Sequence, residues 1–73
     1  KFEKYSLEST LGELVAEELG RGMFEEMVPG MLEDPLIKFA LSMTISDLLM
    51  QDAQAKPMYL AVIDALNAAN SKL

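Results

Sequence analysis

The sequence predicts an all-α fold, a compact bundle of four to five short helices. Three observations carry this. Apolar residues recur at helical spacing in several separate stretches. Helix starts and stops are written in residues with known capping and breaking roles. No stretch alternates apolar and polar residues over a strand's length, and no hairpin dipeptide such as Asn-Gly occurs. With 73 residues the chain has room for one core, and a domain of this size buries only about 60% of the surface its unfolded form exposes. Residues 1–6 read as a linker or extended arm anchored by Phe2 and Tyr5, and residues 7–73 as a single helical domain.

Thr10 opens the first helix. Its hydroxyl can accept from a free backbone N–H, and Glu13 completes a capping box three residues on. Leu11, Leu14, Val15 and Leu19 then share one face, with Gly20 placed to end the helix. A second helix is expected from Gly22 to Val28, with Met23, Phe24, Met27 and Val28 on its apolar face and Pro29-Gly30 as its stop.

The central stretch, Asp34 to Met50, has the densest apolar run. Asp34 is a candidate cap with Pro35 at the first helical position, where its missing N–H costs nothing. Leu36, Ile37, Ala40 and Leu41 are expected to form the buried face. Thr44, followed by Asp47, is a second and weaker cap, because aspartate is not the usual reciprocal partner. The stretch is either one bent helix or two helices that meet near Met43; Ser42 and Thr44, poor interior residues, favour the break. Ile45, Leu48 and Leu49 supply the next apolar face. Residues 51–56 read as a loop, and Pro57 starts a last helix with Tyr59, Val62, Ile63 and Leu66 inward, fraying between Asn67 and Leu73. The segments starting at Thr10 and Thr44 echo each other, and read as two similar helix starts rather than a solenoid repeat.

Composition narrows function more than it assigns it. The formal charge of −6 is spread along the chain, which disfavours nucleic acid and anionic membranes as partners. No apolar run approaches the roughly 20 residues of a membrane span. The chain has no cysteine and no histidine, so it lacks the commonest metal ligands and the commonest general base. The adjacent acidic pairs, such as Glu17-Glu18 and Glu25-Glu26, do not face each other on a helix and read as solvated surface. No serine has a base to activate it, and no calcium-loop pattern occurs. An acyl-carrier role would need Asp-Ser-Leu, whereas the chain has Ser46-Asp47-Leu48. The reading is therefore of a chain that is not itself an enzyme and takes no cofactor or metal.

Four segments, Tyr5-Ser6-Leu7-Glu8-Ser9-Thr10-Leu11-Gly12-Glu13-Leu14, Val28-Pro29-Gly30-Met31, Ser42-Met43-Thr44-Ile45 and Ala61-Val62-Ile63-Asp64-Ala65-Leu66, stand in an order that resembles a known module. It is the small helical domain at the C-terminal end of some bacterial glycoside hydrolases, notably family 3 β-glucosidase-like enzymes. The helix start at Thr10 also resembles small helical domains that accompany redox proteins, although those often carry cysteines. The first resemblance implies a carbohydrate-active parent whose catalytic residues lie upstream, and it carries no catalytic role onto any residue here. It agrees with a chain that begins at Lys1 rather than methionine, as a piece of a longer protein would.

The leading expectation is a non-catalytic accessory domain that packs on its parent enzyme or on a second copy. The alternative is an independent protein-interaction module with an apolar groove for a partner helix. Six methionines are expected to serve mostly as core filling. The central stretch has more large apolar side chains than one buried stripe can use. Phe39 and Met43, at i, i+4 spacing, together with Met50, are therefore the candidate docking patch; the alternative is that the first or last helix covers Phe39 and Met43.

Overall fold

The computed structural model describes residues 3–71. It is all-α, with helices α1 (Leu11–Ala16), α2 (Glu18–Met27), α3 (Ile37–Ala40), α4 (Ile45–Gln51) and α5 (Lys56–Asn70). Short 3-10 turns at Met31–Glu33 and Ala53–Ala55 lead out of α2 and into α5. α5 is the backbone of the bundle. Tyr59, Val62, Ile63 and Leu66, the inward face expected from spacing, are all buried, and α2 packs across them. Leu11 and Leu14 from α1, Phe24 from α2, Ile45 from α4 and Tyr5 complete the core. Phe24 meets Tyr59 edge to face, with ring centroids 5.9 Å apart.

The two helix starts that echo each other in sequence lie side by side. Thr10 and Thr44 form an isolated antiparallel bridge. Around it the first two amides of each helix donate to carbonyls of the other's lead-in segment. Leu11 N–H reaches Met43 O at 3.0 Å and Gly12 N–H reaches Leu41 O at 2.9 Å. Ile45 N–H reaches Ser9 O at 2.9 Å and Ser46 N–H reaches Leu7 O at 2.8 Å. The third amide of each helix is capped by its own threonine: Glu13 N–H and Asp47 N–H donate to Thr10 Oγ1 and Thr44 Oγ1, each at 3.1 Å. The two half-sites thus repeat at the same offset that separates Thr10 from Thr44. Only Thr10 has the reciprocal bond, from its own N–H to Glu13 Oε1 at 2.9 Å.

Several expectations need correction. The central stretch is broken, as Ser42 and Thr44 favoured, with α3 ending at Ala40 and α4 starting at Ile45; what needs correction is Met43, which lies between the helices rather than on a helix with Phe39. Asp34 does not cap α3 directly. Its Oδ1 accepts from Leu36 N–H at 2.9 Å in an Asx turn, which delays the helix and leaves Leu36 68% exposed instead of buried. α1 stops at Ala16, where Glu17 turns to extended backbone, and α2 begins at once. The new register turns Leu19 outward, to 46% exposure, and puts Gly20 inside α2 rather than at a helix end. Gly20 is buried at a close approach: a Cβ there would stand 2.2 Å from Leu14 O and 3.2 Å from Leu66 Cδ1. Pro29-Gly30 does end α2, in a turn with Gly30 at φ 83° and Met31 N–H bonded to Val28 O at 3.0 Å.

Residues 3–6 do not form a free arm. Tyr5 is 7% exposed and clamped by the Asn67 side-chain amide. Tyr5 N–H donates to Asn67 Oδ1 at 2.8 Å, and Asn67 Nδ2 donates to Tyr5 O at 2.9 Å. This clamp sits where fraying was expected, and α5 stays helical through Asn70. Phe2 and the last residue of the expected frayed end, Leu73, lie outside the described residues.

Two stability predictions arise from these contacts. Thr10→Ala is expected to lower stability by more than Thr44→Ala, within the ~0.5–2 kcal/mol range of N-cap losses, because it alone breaks a reciprocal pair. Urea melts of the two variants that ranked them in the opposite order would count against this account of the caps. Gly20→Ala and Gly22→Ala are expected to move stability in opposite directions. The first overpacks against backbone and costs about 1–3 kcal/mol. The second meets nothing within 4 Å and gains up to ~1 kcal/mol of helix propensity. Equal shifts in the two melts would refute the close approach of α2 to α1.

Candidate interaction surface

Half of the chain is apolar, and the fold leaves part of that surface uncovered. Of the candidate patch, Phe39 on α3 is 67% exposed and Met50 on α4 is 86% exposed, while Met43, in the connection between the two helices, is half-buried. The exposed large apolar side chains of the central stretch are therefore Leu36, Phe39 and Met50, carried by successive segments rather than by one helix face, and not the i, i+4 pair. Lys38 Nζ stands 5.9 Å from the centre of the Phe39 ring, a cation–π contact at an exposed position. Ile37, Ala40, Leu41, Leu48 and Leu49 turn inward against the core.

Leu36 was missed in the sequence because Asp34-Pro35 reads equally well as a helix start and as a turn. Asp34 bonding two residues ahead decides for the turn. The methionines divide as their type allows. Met23, Met31 and Met58 fill gaps against the core, whereas Met27 and Met50 are exposed.

A second uncovered surface lies on α2. Glu18, Leu19, Gly22, Met23 and Glu26 line a shallow depression on its outer side. Of these Leu19 is an exposed apolar residue, and Met27, four residues beyond Met23 on α2, is exposed as well.

The most strongly perturbed ionisable groups are structural. The Tyr5 hydroxyl donates to Glu17 Oε2, which also accepts from Asn70 Nδ2 at 3.2 Å and lies 3.6 Å from Lys4 Nζ. Burial first, then the hydrogen bond and the negative charge of Glu17, push the Tyr5 hydroxyl up from 10.0 to about 12. The Tyr5 hydrogen bond is the main reason the Glu17 carboxyl is held below its ordinary 4.5, with Asn70 and Lys4 assisting against a contrary effect of burial. Both shifts hold the proton on Tyr5. That makes the pair a weaker acid and a weaker base than free side chains, the opposite of what proton-transfer catalysis needs. Burial, and then Asp52, raise Tyr59 as well.

Among the described residues no three acidic side chains come together as a metal-ligand group, and no helix is long and apolar enough to cross a membrane. Compared with protein-family models, with curated proteins and with solved structures, the chain matches none.

The Tyr5–Glu17 tether predicts the pH dependence of stability. Glu17 has a lowered folded pKa, so its contribution is present above 4.5 and is lost as pH falls through the folded value below it. Tyr5 has a raised folded pKa, so its contribution is complete below 10 and is lost as pH rises towards about 12. Urea midpoints measured across pH for the wild type and Tyr5→Phe are expected to show shallower acid and alkaline limbs in the variant, with Tyr59 keeping part of the alkaline one. Parallel curves would show that the tether does not couple to folding.

Proposed function

We propose that this chain is a non-catalytic helical accessory domain that docks, through the Leu36, Phe39 and Met50 edge, on a parent protein of the β-glucosidase-like glycoside hydrolase type. The observation that carries the docking role is that edge. Three large apolar side chains stand exposed there, and a partner that covered each completely would gain about 1.5–3 kcal/mol per residue. Its position suits docking better than sugar binding. Tyr5, Phe24 and Tyr59 are buried, which leaves Phe39 as the exposed ring among the described residues, too little for a stacking platform. The carbohydrate-active parent rests on the resemblance of the four sequence segments alone.

The coding sequence around the chain supplies the first test: a carbohydrate-active domain is expected upstream of Lys1. Within that longer protein, amides of α3 and α4 are expected to exchange hydrogen about tenfold to a hundredfold more slowly than in the 73-residue chain alone, as burial of one large apolar side chain would give. Phe39→Ser combined with Met50→Ser should restore the faster rates there and leave α5 unchanged. A parent of another kind removes the glycosidase assignment, and equal exchange in the two settings removes the docking edge.

A further inference from the structure

The depression on α2 is a separate surface, and its lining sets apolar side chains beside acids. Glu18, Gly22 and Glu26 follow one another at i, i+4 and i+8 in one row of the helix, and Leu19 and Met23 form the row next to it. A Cβ built at Gly22 would meet nothing within 4 Å, so the middle of the acidic row is uncovered. Further along, Glu25 and Glu33 line a second shallow depression beside Pro29 and Leu32. Arg21, the one basic residue of α2, lines neither depression.

The register that creates this face comes from the tether at Glu17. Had α1 run on to Gly20, Leu19 would have joined the inward stripe with Leu11 and Val15. The stop at Ala16 instead turns Gly20 and Phe24 inward and leaves Leu19 out.

We infer that this face is a docking site for a basic amphipathic helix, one whose apolar stripe is flanked by lysine or arginine. Charge decides the occupant. Leu19, with Met23 and Met27, offers an apolar contact, and methionine adapts its shape to different apolar partners. The adjacent carboxylates attract cationic side chains and repel acidic ones, so they act on partner choice and on the rate of encounter. A second copy of this chain would bring the same acidic face and a further net charge of −6. The ten residues of α2 span about 15 Å, enough to seat roughly three turns of a partner helix. The inference concerns α2 alone and holds whatever protein the α3–α4 edge contacts.

The test uses the 73-residue chain and a synthetic helical peptide of leucine and lysine about four turns long, with a control in which glutamate replaces every lysine. Peptide titration followed by NMR is expected to give saturable one-to-one shifts centred on Leu19, Gly22, Met23 and Glu26, and none with the acidic control. Gly22→Leu puts a bulky side chain in the lining of the depression, at an uncovered position, and is expected to abolish saturation while the α5 signals stay in place. Glu18→Gln combined with Glu26→Gln is expected to weaken binding about tenfold and to flatten its salt dependence. The inference is overturned by any of four results: shifts centred on Leu36, Phe39 and Met50, shifts spread without saturation over all acidic residues, equal binding of the two peptides, or insensitivity to Gly22→Leu. Concentration-dependent shifts on α2 with no peptide present would assign the face to a second copy instead.

Discussion

The fold depends on an exchange of hydrogen bonds between two helix starts. An isolated helix leaves its first amides for water to satisfy. Here the first residues of α1 and α4, Leu11 and Ile45, are 1% and 0% exposed, so water has little access to them. Each start takes its acceptors from the segment that leads into the other: Met43 and Leu41 for α1, Ser9 and Leu7 for α4. This requirement also explains the break in the central stretch. In one continuous helix the carbonyls of Leu41 and Met43 would bond four residues ahead along their own helix. They serve α1 only because the chain stops being helical there. A short α3 follows from the break. A helix of four residues cannot turn Leu36 and Phe39 inward while Ile37 and Ala40 already face the core. The exposure of Leu36 and Phe39 is thus a consequence of how the two caps are satisfied.

A second constraint operates at Glu17. Its carboxylate gathers Tyr5, Asn70 and Lys4 while its backbone turns to φ −87°, ψ 136°. One residue ends one helix, starts the next and fastens the N-terminal segment. The close approach of Gly20 to Leu14 O then fixes how near α2 lies to α1. The acidic and apolar outer face of α2 has the orientation that remains.

What could be read from the sequence was local. The Thr10–Glu13 box, the weaker Thr44 cap, the Pro29-Gly30 stop and the inward face of α5 are each set by residues within a turn or two, and each is present. What could not be read was set by partners far along the chain. Tyr5 looked like part of a linker because its clamp, Asn67, lies at the other end of the sequence. Gly20 looked like a helix end because glycine serves both for ends and for close contacts, and only the position of Leu14 O separates the two roles. The echo of Thr10 in Thr44 was visible, but that the two segments pair is a tertiary fact. For the exposed apolar residues, the surplus in the central stretch was legible. Which of them stand out was not, because spacing along an assumed helix placed Met43 beside Phe39.

The clamp between Tyr5 and Asn67 has a consequence for architecture. Two hydrogen bonds join the backbone of one end of the described chain to a side chain near the other, as a strand pair would, although no sheet is present among the described residues. The points where the polypeptide enters and leaves this bundle are therefore neighbours. A domain with that property can be inserted within a single surface loop of a host without forcing the host's own chain ends apart, and can equally be appended in tandem. Any new junction, however, must leave Tyr5 and Asn67 free to meet. A graft that begins after Tyr5 would discard the clamp, a core side chain and the main hydrogen-bond partner of Glu17 together.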